Sequence, residues 1–260
     1  MNSTISRRLF VGFTISTFAS AHAQVSNIGD AINKAGRQRM LSQRMSKAWL
    51  GIGQGIQTES AKRVLDLSLA LFDRQLAELK AYSPAGETRD TYSQLELAWS
   101  EYKGVLVGSA PSQEKARPML DHAGKVLALA HKGTGLLEQL AGKPDAKLVN
   151  VAGRQRMLSQ RMAQFYLANA WNVDGVASLR EMGRARDEFV PAMDLLRNAP
   201  QASAEIKQEL LLADTQWLFF DNAIKAKMVT PKASADVFVT SETLLQVMDR
   251  VTGMYARILG

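Results

Sequence analysis

One short sequence occurs twice in this chain and constrains its fold more than any other feature. AGRQRMLSQRM covers residues 35–45, which we call the first box, and residues 152–162, the second box. Asn33 and Asn150 also match, two residues before each copy. Identical segments at a fixed offset indicate an internal duplication, so each half should fold as one copy of the same unit. Packing alone would preserve apolar spacing, whereas here the arginines and glutamines are preserved too, which favours a shared site.

The first 23 residues have the organisation of an export signal. Arg7 and Arg8 supply positive charge, residues 9–20 form a short apolar stretch, and Ala21-His22-Ala23 resembles a cleavage site. The arginine pair also resembles the twin-arginine signal, with Sec export as the alternative. The apolar stretch is shorter than the roughly 20 residues that a spanning helix needs. We therefore expect a signal peptide over residues 1–23 and a periplasmic mature protein without stable membrane insertion.

Composition argues against several other kinds of site. The chain has no cysteine, which rules out disulfides and thiolate metal sites. Its formal charge of +7 attracts anions in general, but the basic residues are interleaved with acids, and export argues against nucleic acid as a partner. His122 and His131 would lie on opposite faces of one helix, so no metal site is expected. Because no acid–base pair or activated nucleophile is recognisable, we expect neither an enzyme nor a cofactor.

Helical periodicity runs through both halves of the chain. Strong helix formers dominate, and alternating β-branched runs are scarce. Clusters of glycine and proline divide each half into four segments. The predicted helices cover residues 27–50, 59–81, 87–107, 113–141, 145–171, 176–198, 202–227 and 234–259.

Short connections between these helices predict antiparallel neighbours. The expected fold is therefore all-α, with two tandem up-down four-helix bundles over residues 24–142 and 143–260. Since helix direction alternates, the first helix of each bundle points the same way. The two boxes can thus lie parallel, and the bundles can pack like the two subunits of a symmetric dimer.

On a helix, Gly36, Arg39 and Gln43 share one face. Gly36 lies one turn before Arg39 and lets another helix or a ligand approach the backbone. The second box places the same residues at equivalent positions: Gly153, Arg156 and Gln160. If the two faces met, two guanidinium groups would converge, which is unfavourable at a partly dry interface. A planar oxyanion that accepts paired hydrogen bonds from both arginines removes this repulsion, so the boxes predict a site for nitrate, nitrite or bicarbonate.

The sequence Asn-x-Ala-Gly-Arg-Gln-Arg-Met-Leu-Ser-Gln-Arg-Met resembles the signature of PilJ/NarX-like sensor domains, and it covers residues 33–45 and 150–162. Such domains form the periplasmic part of nitrate/nitrite sensor kinases and the N-terminal part of type IV pilus chemotaxis transducers. The resemblance implies four-helix bundles that hold nitrate between the first helices of two subunits. Each subunit contributes an arginine and backbone near a glycine. By motif position these residues are Arg39, Arg156, Gly36 and Gly153.

The chain departs from the nitrate-sensing kinases at Arg37 and Arg154, where those proteins lack an arginine. We include both as candidate ligand contacts, and they leave the identity of the anion open. The chain also shows no HAMP, kinase or methyl-accepting region, so a membrane sensor or chemotaxis transducer is the expected partner. In the alternative interpretation, the boxes are a helix-docking surface for such a transducer, and the protein has no ligand of its own.

Overall fold

The computed structural model describes residues 24–225 and 228–260, so the predicted signal peptide lies outside the described residues. The described chain folds into α-helices connected by short turns. In order they are α1 (Ile28–Gly53), α2 (Thr58–Tyr82), α3 (Glu87–Gly108), α4 (Gln113–Ala141), α5 (Pro144–Ala170), α6 (Gly175–Asn198), α7 (Ala204–Ile224) and α8 (Pro231–Leu259). This confirms the all-α prediction. Over these same residues, no helix is both long enough and apolar enough to cross a membrane.

Polar side chains cap the start of several helices. Asn27 accepts a hydrogen bond from the amide three residues further on at 2.8 Å. Thr230 does the same at 3.1 Å and Ser203 at 3.3 Å. Each of these side chains satisfies an amide that has no partner within its own helix, which is why the helices begin where they do.

The glycine-rich end of α1 differs from its prediction. The predicted break after residue 50 is wrong, because Gly51 and Gly53 still belong to α1 and the chain turns over the next few residues, where Gln57 has a φ of 49°. A Cβ at Gly53 would overlap the ring of Trp171. Gly53 therefore allows close packing between α1 and the end of α5, and Gly51 allows the ring of Phe238 in α8 to approach.

The end of α7 also differs from its prediction. The helix was expected to reach residue 227, but it ends at Ile224, with Lys225 as its C-cap. Residues 226 and 227 lie outside the described residues.

The two halves repeat each other's aromatic core. Phe72 stacks on Trp99 with ring centroids 4.0 Å apart, and Phe189 stacks on Trp217 at 4.4 Å. In each half, the stack joins the second and third helices of the bundle. The second half has thus kept the packing of the first although most of its residues differ, and the tandem four-helix arrangement is confirmed.

The bundles pack against each other along α1 and α5. Contacts between these helices join equivalent heights: Gly36 lies beside Gly153, and Gln43 accepts a hydrogen bond from Arg161 at 2.9 Å. The helices therefore run parallel, as the repeat predicted. The last helix of each bundle also contacts the first helix of the other, so α8 packs on α1 and α4 packs on α5. This reciprocal arrangement is that of a pseudo-dimer.

Candidate functional site

The two boxes meet along the contact between α1 and α5, which we call the box seam. Arg39 and Arg156 are both completely buried there. Arg39 Nη2 donates to the backbone oxygen of Asn150 at 3.2 Å, and Arg156 Nη2 donates to that of Asn33 at 3.0 Å. The two hydrogen bonds are equivalent under the pseudo-twofold. Each arginine therefore crosses the seam to the opposite helix.

Gly36 and Gly153 provide the space for this crossing. A Cβ at Gly36 would lie 3.1 Å from Arg39 Nη2 and 3.4 Å from Arg156 Nη2. A Cβ at Gly153 would lie 3.2 Å from Arg156 Nη2 and 3.5 Å from Arg39 Nη2. Both guanidinium groups thus converge beside both glycines. This close approach accounts for glycine inside a helix, where it costs about 0.5–1 kcal/mol relative to alanine.

The two arginines have different partners on the last helix of their own bundle. Arg156 Nη1 donates to Asp249 of α8, which also accepts from Arg37 Nη2 at 2.9 Å. Arg39 Nη1 lies 3.3 Å from His131 Nδ1 of α4. His131 and Asp249 occupy the same position, because α4 and α8 each contain 29 residues and have the same place in their bundles. Within residues 24–225 and 228–260, no carboxylate pairs with Arg39.

The buried charges shift the ionisation of these groups. Burial, together with repulsion from Arg154 and Arg156, lowers the pKa of Arg39 to about 9. Burial also lowers the pKa of Arg156 to about 10, against the opposing attraction of Asp249. Burial and the Arg39 charge lower the pKa of His131, so its ring is neutral at pH 7. At this pH, two buried cations therefore converge on the seam.

Asp249 is the counter-ion of Arg156 and Arg37. Burial acts to raise its pKa, but the charges of Arg156 and Arg37 outweigh burial and hold the pKa at about 2. Asp249 is thus ionised at neutral pH and balances one of the two seam charges. The Nε atoms of Arg39 and Arg156 are buried and have no hydrogen-bond partner in the described protein. The site therefore has spare donors and excess positive charge, both of which suit an anion.

The two glutamines predicted to contact the ligand are buried beside the arginines but bond elsewhere. Gln43 Nε2 donates to Ser42 Oγ at 3.0 Å, and its Oε1 accepts from Arg161. Gln160 Nε2 donates to the backbone oxygen of Ser241 at 2.9 Å. The structure thus places both glutamines on the seam without joining them to the guanidinium groups. A ligand contact from either remains a prediction.

Arg37 and Arg154 lie at the edges of the seam. Arg37 shares Asp249 with Arg156, whereas Arg154 pairs with Glu188 of α6. Both side chains are partly exposed. Neither arginine joins the converging pair, and a direct ligand role for them also remains a prediction.

The sequence did not predict the different partners of the two arginines, which are Asp249 for Arg156 and His131 for Arg39. Neither lies in a box, and the two halves carry different residues at this position. The signal that could have found them is the alignment of the fourth helices from their first residues, which places His131 and Asp249 at the same position.

Two tandem four-helix bundles that pack along their first helices, each with a buried arginine at the seam, define an all-α protein with a duplicated polar site. The chain belongs to the PilJ family, the type IV pili methyl-accepting chemotaxis transducer N-terminal domain, which it matches twice, over residues 21–134 and 137–240. The two matches confirm the resemblance in both halves. No curated protein and no solved structure matches the chain.

Proposed function

We propose that the protein is a periplasmic sensor module that holds one small planar oxyanion, of the nitrate or nitrite type, between Arg39 and Arg156. One observation carries this proposal. Two completely buried guanidinium groups converge beside Gly36 and Gly153, with Asp249 as the one carboxylate paired to either among the described residues.

The electrostatics favour an anion at this point. Burial disfavours both cations, as the lowered pKa values of Arg39 and Arg156 indicate. An oxyanion that accepts hydrogen bonds from both would convert their mutual repulsion into attraction. The fixed, planar donors of arginine suit a trigonal anion. Gly36 and Gly153 would allow the ligand to approach the helix backbones.

The position of the site suggests how binding is reported. The two bundles pack along α1 and α5, and the arginines contact both helices. A ligand held by both bundles stabilises the arrangement to which it binds better, and so shifts the population between two packings. In this proposal a membrane sensor or chemotaxis transducer reads that shift. The PilJ family description, which names a chemotaxis transducer, supports such a partner.

A second candidate function is a docking module without a ligand of its own. The observation that favours it is that Arg39 and Arg156 already donate to backbone carbonyls across the seam. The boxes would then serve helix–helix contact alone, with a transducer as the partner. This alternative expects loss of transducer binding on box substitution and no anion effect.

Melting temperature in sodium nitrate, nitrite and chloride at equal ionic strength tests the proposal. A ligand at 100 times its Kd adds about 2.7 kcal/mol to the folded state. For a protein of this size that corresponds to a rise of roughly 5–10 °C. We expect such a rise with nitrate or nitrite and none with chloride. Arg39→Gln should abolish it.

His131→Asp provides a second variant in case Arg39→Gln unfolds. It gives Arg39 the carboxylate that Arg156 already has, so it should keep the fold and weaken anion binding at least tenfold. Two results would overturn the proposal. One is no rise with nitrate or nitrite above that with chloride; the other is an undiminished rise in His131→Asp.

A further inference from the structure

The pseudo-twofold produces two equivalent grooves on the surface of the molecule. The α1–α8 groove lies between α8 and the first two helices of the first bundle. The α4–α5 groove lies between α4 and the first two helices of the second bundle, α5 and α6. The two grooves differ in the side chains that line them.

The α1–α8 groove is filled by acids from α8. Glu242 accepts from Arg44 Nη2 at 2.5 Å and from Lys47 Nζ at 2.6 Å. Further along the same helix, Asp249 accepts from Arg37 at 2.9 Å. Two carboxylates on α8 thus pair with three cations that project from α1.

Among the described residues, no acid of α4 lines the α4–α5 groove. Counted from the start of each 29-residue helix, Glu242 corresponds to Gly124 and Asp249 to His131. A Cβ at Gly124 would meet nothing within 4 Å. The groove has a volume of about 370 Å³ and is lined by Gly124 and His131 on one side and by Arg154 and Arg161 on another.

The acids that pair with the cations of the α4–α5 groove come from a different wall than in the α1–α8 groove. The acids present, Glu181 and Glu188, both come from the opposite wall, α6. Glu181 is shared by Arg161 and Arg184, each at 2.8 Å. Three guanidinium groups thus face two carboxylates, the same ratio as in the α1–α8 groove, but none of the described α4 residues that line the groove is an acid. Arg39 lies beneath His131. The base of the groove is apolar and is formed by Leu127, Met157, Leu158 and Ala185.

We infer that the α4–α5 groove binds a small organic carboxylate with an apolar body. Its carboxylate lies over Gly124, where α8 places the Glu242 carboxylate in the other groove, and accepts hydrogen bonds from Arg161, as Glu242 does from the equivalent Arg44. Its apolar part covers Met157 and Leu158. The volume is at the small end of the roughly 300–1,000 Å³ typical of ligand pockets. This site is separate from the Arg39–Arg156 pair and does not depend on an oxyanion there.

Calorimetric titration of the purified protein with sodium benzoate, sodium hexanoate and neutral benzamide tests the inference. We expect saturable binding of at least one carboxylate, and at least tenfold weaker binding of benzamide. Gly124→Glu should abolish carboxylate binding, because the new side chain occupies the groove and supplies the missing acid. Gly135→Glu is the matched control, since a Cβ at Gly135 also meets nothing within 4 Å and the residue lies outside the groove.

A second measurement does not depend on the choice of ligand. Gly124→Glu should melt at a higher temperature than Gly124→Gln, which adds the same bulk without charge, whereas Gly135→Glu and Gly135→Gln should melt alike. The nitrate-dependent rise should be unchanged in Gly124→Glu, which separates this inference from the proposed function. The inference is overturned if neither carboxylate binds, if benzamide binds as well, if binding survives in Gly124→Glu, or if Gly124→Glu and Gly124→Gln melt alike.

Discussion

The two grooves show how identical boxes came to have different electrostatic surroundings. Both boxes contribute the same arginines. On α8, Glu242 and Asp249 pair with arginines, whereas the equivalent residues on α4 are Gly124 and His131, which are not acids. Consequently Arg156 has a carboxylate partner and Arg39 has none among the described residues. The duplicated boxes fix where the positive charges lie. The residues that differ between the fourth helices decide which of those charges is balanced.

The largest effect of this difference should appear at Glu242. Lys47 is completely buried against it, so Glu242→Gln would leave a buried ammonium without a carboxylate. Such a loss typically costs about 3–5 kcal/mol. In the other groove, Glu181→Gln should lower the free energy of unfolding by less than about 1 kcal/mol. Arg184 is largely exposed, and Arg161 still donates a hydrogen bond to Gln43. Urea unfolding at pH 7 would measure both.

The ion pairs of Glu242 also predict that the stability of the protein depends on pH in the acid range. Burial acts to raise the pKa of Glu242, but Lys47 and Arg44 outweigh it and lower the pKa to about 2. A lowered pKa means that the unfolded chain takes up this proton first, so the stabilisation is complete above about pH 4.5 and is lost towards pH 2. Stability of the wild type should fall across this range, and more steeply than that of Glu242→Gln. Parallel curves for the two proteins would show that Glu242 is not the titrating group.

Asp249 should produce the next largest effect. Asp249→Asn removes the carboxylate shared by Arg156 and Arg37, and because Asp249 is itself 43% exposed we expect a loss of roughly 2–3 kcal/mol, below that of a fully buried pair. His131→Asn, at the equivalent position, should change stability by less than about 0.5 kcal/mol, as expected where no ion pair is broken. Comparable losses in the two variants, measured by urea unfolding, would contradict the asymmetry between the arginines.

These residues also show how much of the candidate site could be predicted from the sequence. The identical boxes were enough to predict parallel helices, Arg39 opposite Arg156, and the need for Gly36 and Gly153, because each of these follows from helical periodicity and duplication. Asp249 and His131 could not be predicted, because they lie in helices whose residues no longer match. The hydrogen bonds to the Asn33 and Asn150 carbonyls could not be predicted either, since any residue offers a carbonyl and only the depth of helix packing selects one.

The smallest expected effect distinguishes the two glycines of the seam. Alanine normally stabilises a helix by about 0.5–1 kcal/mol relative to glycine. At Gly36 the new methyl group would lie 3.1 Å from Arg39 Nη2, and at Gly153 it would lie 3.2 Å from Arg156 Nη2. Among the described residues, the hydrogen bond that holds Arg39 on its own bundle is the one to His131, so Arg39 can shift, whereas Asp249 anchors Arg156.

Gly36→Ala should therefore be close to neutral, while Gly153→Ala should lose about 1 kcal/mol, since the methyl group there cannot displace its neighbour without breaking an ion pair. Gly135→Ala, where a Cβ meets nothing within 4 Å, provides the unstrained reference. Urea unfolding of the three variants measures the order. If Gly36→Ala proved the more damaging of the two seam variants, Arg39 would have to be the more rigidly held arginine, and the difference between the two halves would lie in something other than the carboxylate of Asp249.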